Sequence, residues 1–559
     1  MDATNPSIPE IQKLRKGEAC MYCRRRKMKC DGVRPICGQC MRGDRAEDCE
    51  YAANSSYSRT QGLEDTIARM EARIRELENP DNGQGAKLVL RNPYFVNEFQ
   101  QLPNSDLPVD LPIARDVQQA ASSSHWWALD EPPVPMRANF VDRFLQSGVE
   151  VGFFLNANRF RQSTLRDLPL GHHERPHPVL LSAAYLWGAH LAGEPSDTQH
   201  EDAMLTRALS QLSGSLSSTH PHRIMHTIQA KVLLIHYLFA NGRLLEGKYH
   251  TSSVVGLAFA ARLNKVRSSE VTDTNPLPAP VDSVEEGERI RACWTIFALD
   301  KCWAVAFDSP PNAHCPTEMA GQQLDTPWPL EMAAYEQGLP SGYGTSNRTS
   351  YTLQNFLNEV PTSDSGDSAL GLLAKGAILW ELSTRIFHQF RAASEQTLTT
   401  HVDMFNRLDR LIDQVIAAIE SVSLGRKEYI LPRCVASAAA IRLHSNIANT
   451  NPLSRGKCLL AAEAIVLSLN SIPDLDSAYA NPIIASAWTA ASQVISGEVT
   501  LWRSAVDTVG AHEVERAERD LKRLFNAGLN VMTILAERSQ LIRYQEELTQ
   551  ESYNALFGL

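Results

Sequence analysis

Cys20-Met-Tyr-Cys23-Arg-Arg-Arg-Lys-Met-Lys-Cys30-Asp-Gly-Val-Arg-Pro-Ile-Cys37-Gly-Gln-Cys40, followed after eight further residues by Cys49, decides how this chain is built. The stretch is one unit written twice: a CxxC pair, then a short segment that returns a third cysteine. A tetrahedral zinc ion takes four ligands at about 2.3 Å, so a unit of three thiolates is one short. Two units offer six sulfurs for eight coordination positions, and the count closes if two sulfurs bridge both ions. Symmetry favours the first cysteine of each repeat. One zinc would then hold Cys20, Cys23, Cys30 and Cys37, the other Cys20, Cys37, Cys40 and Cys49, giving two Zn²⁺ per chain.

Charge supports that count. Six thiolates on two Zn²⁺ leave a surplus of negative charge, and Arg24, Arg25, Arg26, Lys27 and Lys29 lie beside them, favouring the deprotonated thiols that metal binding needs. Three disulfides are the alternative use of six cysteines, but they belong to secreted chains. Met1–Glu10 lacks the basic start and apolar run of a secretory signal, so an intracellular, reducing compartment is expected. A RING or LIM module would need eight ligands and longer spacing.

Working outward, the 559 residues suffice for a small head and a large body. No run approaches the roughly 20 apolar residues that cross a bilayer, so no membrane is expected. The net charge of −10 is unevenly spread: Ile11 to Cys49 carries eleven Lys/Arg against five Asp/Glu, leaving the remainder strongly acidic. A basic head on an acidic body points to a polyanion at one end only. The other cysteines, Cys293, Cys302, Cys315, Cys434 and Cys458, stand singly in apolar surroundings and read as inert buried thiols.

The pattern CxxCRRRKMKCDGVRPICGQC resembles the fungal binuclear zinc cluster transcription factors. The resemblance implies zinc as the metal, Pro35 as a loop proline that is often cis, and DNA as partner. Arg24–Lys29 sit between two metal-binding cysteines and are expected to form one short zinc-clamped basic helix, which the resemblance places end-on in the major groove. There guanine N7 and O6 accept from Lys or Arg. The family's base-contacting pair falls on Arg26 and Lys27, with Lys27 the main reader of a CGG-type triplet. Arg24, Arg25 and Lys29, with Lys13, Arg15 and Lys16 upstream, are expected on phosphate.

Leu63, Ile67, Met70, Ile74 and Leu77 recur at coiled-coil spacing, with β-branched Ile67 and Ile74 at a positions that favour a parallel dimer. A single amphipathic helix packed on the body is the alternative. The expected plan is a zinc-clustered module at 11–50, a linker at 51–62, a coiled-coil dimerisation helix at 63–79, and a flexible linker at 80–135. A large all-α domain follows at 136–559. Helical pattern is clearest over Pro178–Ala192, Ile224–Phe239, Gly287–Phe307, Ala369–Phe390, Phe405–Val422, Ala461–Leu469 and Ala517–Ser539, while Ser268–Val284 and Gln337–Asp367 read as loops.

Glu286–Pro311 is similar to the core of the fungal-specific transcription factor regulatory domain, and Gly242–Leu263 resembles its helical hairpin. Arg291, Trp294, Phe297, Leu299 and Asp300 match, Lys301 stands for an arginine, and Asp308-Ser309 replace Gly-Arg. Such domains are helical regulators, some answering to small-molecule effectors.

Two motifs suggest enzymes and fail. His173-Glu174-Arg175-Pro176-His177 spells HExxH, but Pro176 forbids the unbroken helix that motif needs. Gly242–Lys248 nearly spells a phosphate-binding loop, but Tyr249 stands where Ser or Thr must hold Mg²⁺. Asn347-Arg348-Thr349 is a glycosylation sequon in a chain not expected to be secreted. The combined expectation is a nuclear, DNA-binding regulator of RNA polymerase II transcription, not an enzyme. Its expected partners are DNA, a second copy, the transcription machinery and an effector.

Overall fold

The computed structural model describes residues 19–43, Cys49, and 126–558 apart from 194–198, 269–275, 314–322, 339–350, 363, 393–397, 423–425 and 476–477. They form two compact units, described separately here: a small N-terminal one and a large C-terminal body. The stripe at Leu63, Ile67, Met70, Ile74 and Leu77 lies outside the described residues, as do Lys13, Arg15, Lys16, Cys315 and the sequon.

The described residues of the small unit form two five-residue helices, α1 (Met21–Arg25) and α2 (Gly38–Arg42). The body is all-α, with no strand among its described residues. Its first part runs α3 (Val134–Gln146), α4 (Ala157–Thr164), α5 (Pro178–Ala192), α6 (Glu201–Ser215), α7 (Arg223–Ala240) and α8 (Leu244–Ala260). The middle holds α9 (Ser283–Ala306), α10 (Met332–Glu336), α11 (Thr352–Leu357), α12 (Ala369–Ala392) and α13 (Leu398–Val422). The end comprises α14 (Ile430–His444), α15 (Pro452–Asn470), α16 (Ile483–Ser504), α17 (Val506–Val509), α18 (Ala511–Leu535) and α19 (Gln540–Phe557).

Local chemistry starts and stops these helices. Pro178 opens α5 behind His177, whose Nδ1 accepts the Val179 N–H at 3.3 Å, and Gly193 ends it in the left-handed region at φ 66°. Gly188 lets α5 close on α3, since a β-carbon there would stand 2.4 Å from the Phe140 carbonyl oxygen. Asp282 caps α9 by accepting the Glu285 N–H at 2.9 Å, with Glu285 and Glu286 in the first turn where acids suit the helix dipole. α9 packs on α8 and α12, and α12 in turn on α14, which its run of alanines keeps slim.

The residues shared with the regulatory-domain signature lie on α9 and hold irregular chain against it. Asp300, 1% exposed, accepts the Asn312 and Ala313 N–H groups at 3.0 and 2.9 Å. Lys301 is fully buried, donates to the Ala313 carbonyl, and stands 5.0 Å from the Phe297 ring centroid. Trp294 donates from Nε1 to the Pro327 carbonyl at 2.6 Å, and Arg291 to that of Leu330 at 3.1 Å. Asp308 takes φ 47°, a left-handed turn that Asp tolerates better than most residues.

Two expectations need correction. The 80–135 linker is too long at its C-terminal end: Trp126 is buried in the core, and Glu131 accepts from Arg175, from Arg137 and, at 2.6 Å, from the Tyr185 hydroxyl. Sparse periodicity concealed this because single anchors, rather than a helical face, do the packing. Within the Gln337–Asp367 loop, α11 forms with Thr352 and Leu353 buried. Its six residues are too few for a periodic signal.

The HExxH stretch forms turns, not a helix, and its Arg175 is spent on Glu131. Gly242–Lys248 joins two helices, α7 and α8, rather than a strand and a helix. Cys293, Cys302, Cys434 and Cys458 are buried free thiols.

Glu131→Ala is expected to leave the Arg175 guanidinium buried without its counter-charge, destabilising the body by about 3–5 kcal/mol. Urea denaturation followed through the helical signal measures this; an unchanged midpoint refutes it.

Candidate metal centre and nucleic-acid interface

Cys20 and Cys37 do the same job in the two halves of the small unit. Each N-caps its helix: the Cys23 N–H donates to Cys20 Sγ at 3.4 Å, and the Cys40 N–H to Cys37 Sγ at 3.4 Å. Each CxxC pair therefore sits across a helix start, where backbone N–H groups favour negative sulfur. The Cys37 N–H also donates to Cys49 Sγ at 3.2 Å, so the last cysteine is drawn back onto the second helix.

The six sulfurs group into two overlapping quartets: Cys20, Cys23, Cys30 and Cys37, and Cys20, Cys37, Cys40 and Cys49. Within each, all lie within 4.8 Å of one another, and Cys20 and Cys37 belong to both. Cys20 stands 3.8 Å from Cys37 and 3.8 Å from Cys40, and Cys23 stands 3.7 Å from Cys37. The edge of a tetrahedron with 2.3 Å zinc–sulfur bonds is about 3.8 Å, so the sulfurs fit such ions. None is in a disulfide.

Burial opposes ionisation of Cys20, Cys23, Cys37 and Cys40. Burial pushes Cys20 and Cys40 up, and holds Cys23 up to about 12 with help from the Cys20 and Cys37 thiols. Burial also opposes ionisation of Cys37, but donation from the Cys40 N–H and from the Cys40, Cys23 and Cys20 thiols brings it down to about 6. Positive charge from the ions must supply the rest.

The loop between the halves depends on a residue that spacing alone did not pick out. The Asp31 carboxylate accepts the Gly38 N–H at 3.1 and 2.9 Å and the Val33 N–H at 3.3 Å. Gly38 permits this approach, since a β-carbon there would lie 2.4 Å from Asp31 Oδ2. The Asp31-Gly32 pair, a turn signal in which Asp bonds the backbone two residues on, could have revealed it. The Arg34–Pro35 peptide is cis.

The basic segment departs from the expected single helix, and this is a correction. α1 ends at Arg25, Arg26 is its cap, and Lys27 takes the left-handed conformation at φ 54°. Lys27 N–H donates to the Arg24 carbonyl at 3.3 Å and Met28 N–H to that of Cys23 at 2.9 Å, the Schellman pattern that ends helices. The reason is the metal site: a helix continued through Lys29 could not turn back to deliver Cys30. A non-glycine residue in this conformation costs on the order of 1 kcal/mol. Arg24, Arg25, Arg26, Lys27 and Lys29 are all exposed, and no carboxylate among the described residues pairs with them. Arg26 is braced by an aromatic ring, 5.5 Å from the Tyr22 ring centroid. Lys16 lies outside the described residues.

Residues 18–58 match the fungal Zn(2)-Cys(6) binuclear cluster domain, and 144–354 match the fungal specific transcription factor domain. The chain thus carries the two domains of the fungal Zn(2)-Cys(6) class, a cluster domain that binds two zinc ions through six cysteines and a fungal specific transcription factor domain. The notoamide biosynthesis cluster transcriptional coactivator of Aspergillus versicolor is 24% identical over 56% of this chain and 58% of its own length. The citrinin biosynthesis transcriptional activator of Monascus ruber is 24% identical over 53% of this chain and 61% of its own. Transcriptional activator protein acu-15 of Neurospora crassa is 38% identical over 11% of this chain and 7% of its own length. The chain thus spans less than two thirds of the length of these relatives. No solved structure matches it. No helix among the described residues is long and apolar enough to cross a membrane.

Metal analysis of the full chain should return two zinc ions, and Gly38→Ala should weaken their retention against a chelator at least several-fold by displacing Asp31. Chelation should leave most of the helical signal, because the body has its own core. One zinc per chain, or loss of the body's helicity on chelation, contradicts this.

Proposed function

We propose that the chain is a nuclear, sequence-specific regulator of RNA polymerase II transcription. It acts as a homodimer through residues 63–79, and contacts the transcription machinery. Cys20, Cys23, Cys30 and Cys37 hold one zinc, and Cys20, Cys37, Cys40 and Cys49 the other. Residues 11–50 meet DNA through the end of α1 and the turn after it. Arg26 and Lys27 face a CGG-type triplet, while Arg24, Arg25, Lys29 and Lys16 hold phosphate. Linkers at 51–62 and 80–125 frame the dimerisation helix, and the helical body takes regulatory input from a small-molecule effector.

The observation that carries this reading is five exposed cations, free of ion pairs among the described residues, on a metal-bound helix end and turn. Exposed cations on a rigid base suit a polyanion, and a left-handed Lys27 standing past the last helical turn is well situated to lead into a groove. Loss of Cys20 or Cys37 should disturb both zinc sites, whereas Cys30→Ala or Cys49→Ala should weaken mainly one; zinc titration of the four variants separates these outcomes.

Lys27→Ala should cost roughly 1–3 kcal/mol on a CGG-containing site and less on scrambled DNA. Lys16→Ala should weaken both DNAs alike and flatten the salt dependence of log K by about one unit. Salt titrations on both DNAs test this, and equal losses for both variants on both DNAs would make Lys27 another phosphate contact. Replacing Ile67 and Ile74 with Asp should harm binding to paired sites more than to a single half-site.

A further inference from the structure

A cavity of about 700 Å³ lies in the body beside α9, a size that suits a drug-sized molecule. One wall is a face of α9 bearing Thr295, Ala298, Leu299, Cys302 and Trp303. Leu370 and Leu373 of α12 face them across the space, both half-buried within the core region. Phe153, Pro432 and Ile484 come from three other parts of the chain and close the apolar lining. Trp303 is held flat by stacking on Phe239, with ring centroids 3.9 Å apart.

Four side chains of the lining carry a buried polar atom with no hydrogen-bond partner among the described residues: His236 Nδ1, the Tyr479 hydroxyl, Arg291 Nε and Glu150 Oε2. Leaving such a group unsatisfied costs on the order of 1–3 kcal/mol, so a side-chain rotation that turned any of them onto a ligand in the cavity would recover that cost. His236, 4% exposed, is held neutral because burial lowers it to about 4. Its imidazole is confined against Gly152, where a β-carbon would stand 2.9 Å from Nε2.

Charge narrows the ligand. The lining contains two cations, Arg291 and Lys427, and Lys427 is already engaged with Glu150 at 3.5 Å. Glu331, Glu428 and Asp474 also line the space. A phosphorylated or multiply anionic molecule would meet more carboxylates than free cations. A larger cleft, of about 1010 Å³, offers less, since its Arg455 and Glu498 already satisfy each other at 2.7 and 2.6 Å.

We infer that this cavity binds an uncharged, mainly apolar organic molecule carrying hydroxyl or carbonyl groups, which hydrogen-bond to His236, Tyr479 and Arg291. The inference names a site and a ligand class for the effector, and so rests on the body being a ligand-responsive regulator. Bound there, the molecule would join wall segments from both the N-terminal and the C-terminal parts of the body, which is how a small ligand could stabilise one arrangement of them.

The test uses the full chain and a neutral naphthyl ketone, 6-propionyl-2-dimethylaminonaphthalene, whose emission shifts blue in a dry apolar site. One saturable probe per chain is expected. Leu373→Trp, which fills the cavity, should weaken binding at least 10-fold, and Tyr479→Phe, which changes little volume, about 3-fold or more. Leu453→Ser, at an exposed leucine elsewhere, should leave binding unchanged. Should Leu373→Trp lose its helical signal, Ala298→Leu replaces it. No saturable binding, or binding equal in wild type and both cavity variants, overturns the site. DNA retention is measured separately: probe binding that leaves DNA affinity unchanged keeps the site and removes the regulatory reading, whereas DNA binding without probe uptake does the reverse.

Discussion

Six sulfurs serving eight coordination positions is the constraint on which the N-terminal unit depends. Its described residues are too few to bury a hydrophobic core, and at that size a metal or disulfides must take the core's place. Among those described residues, the buried apolar positions are five of the six cysteines themselves. Sharing Cys20 and Cys37 between the quartets makes the two halves a single object. The other described features of the unit accommodate that sharing. Both helices begin on a bridging cysteine so that their free N–H groups face sulfur. The first helix must stop early so that the chain can return Cys30. The Asp31 carboxylate ties the loop to the start of the second helix, in space that only Gly38 leaves open. The strain at Lys27 is a consequence of the same requirement, and it places a cation beyond the helix end.

The body obeys a different economy. Its core is ordinary close packing of helices, but its connections are held by buried polar anchors rather than by periodic faces. Asp300 and Lys301 fasten residues 312–313 to the middle of α9, Trp294 and Arg291 fasten 327–330, and Glu131 and Arg175 fasten the entry to the body. A buried charge tolerates no loss of its partner, so these positions specify where irregular chain must lie. The signature residues of the regulatory domain are therefore chiefly structural. Another face of α9, bearing Thr295, Ala298, Leu299, Cys302 and Trp303, lines the cavity.

The long helices were legible because burial on all or one side leaves a pattern over many turns: Pro178–Ala192 was readable to the residue, and the pattern over Gly287–Phe307 lies within a residue of the end of α9. The grouping of the cysteines was legible for a related reason. Ligand spacing is a local covalent property, and counting sulfurs against coordination positions needs no tertiary information. Asp31 was legible only in hindsight, as a turn residue. The packing of Trp126 and Glu131 was not, since isolated anchors carry no period.

By itself, the sequence determined that this chain has a two-metal cysteine head with a basic edge and a helical body, because both facts are written in short-range spacing. Only the tertiary structure decided where the basic helix ends and how Asp31 meets Gly38. It alone decided that His236, Arg291, Tyr479 and Glu150 gather round one space. Those four come from positions 150 to 479, and nothing local relates them. Their neighbourhood exists only once the helices have packed, and the cavity between them is a remainder of that packing, which no single segment encodes.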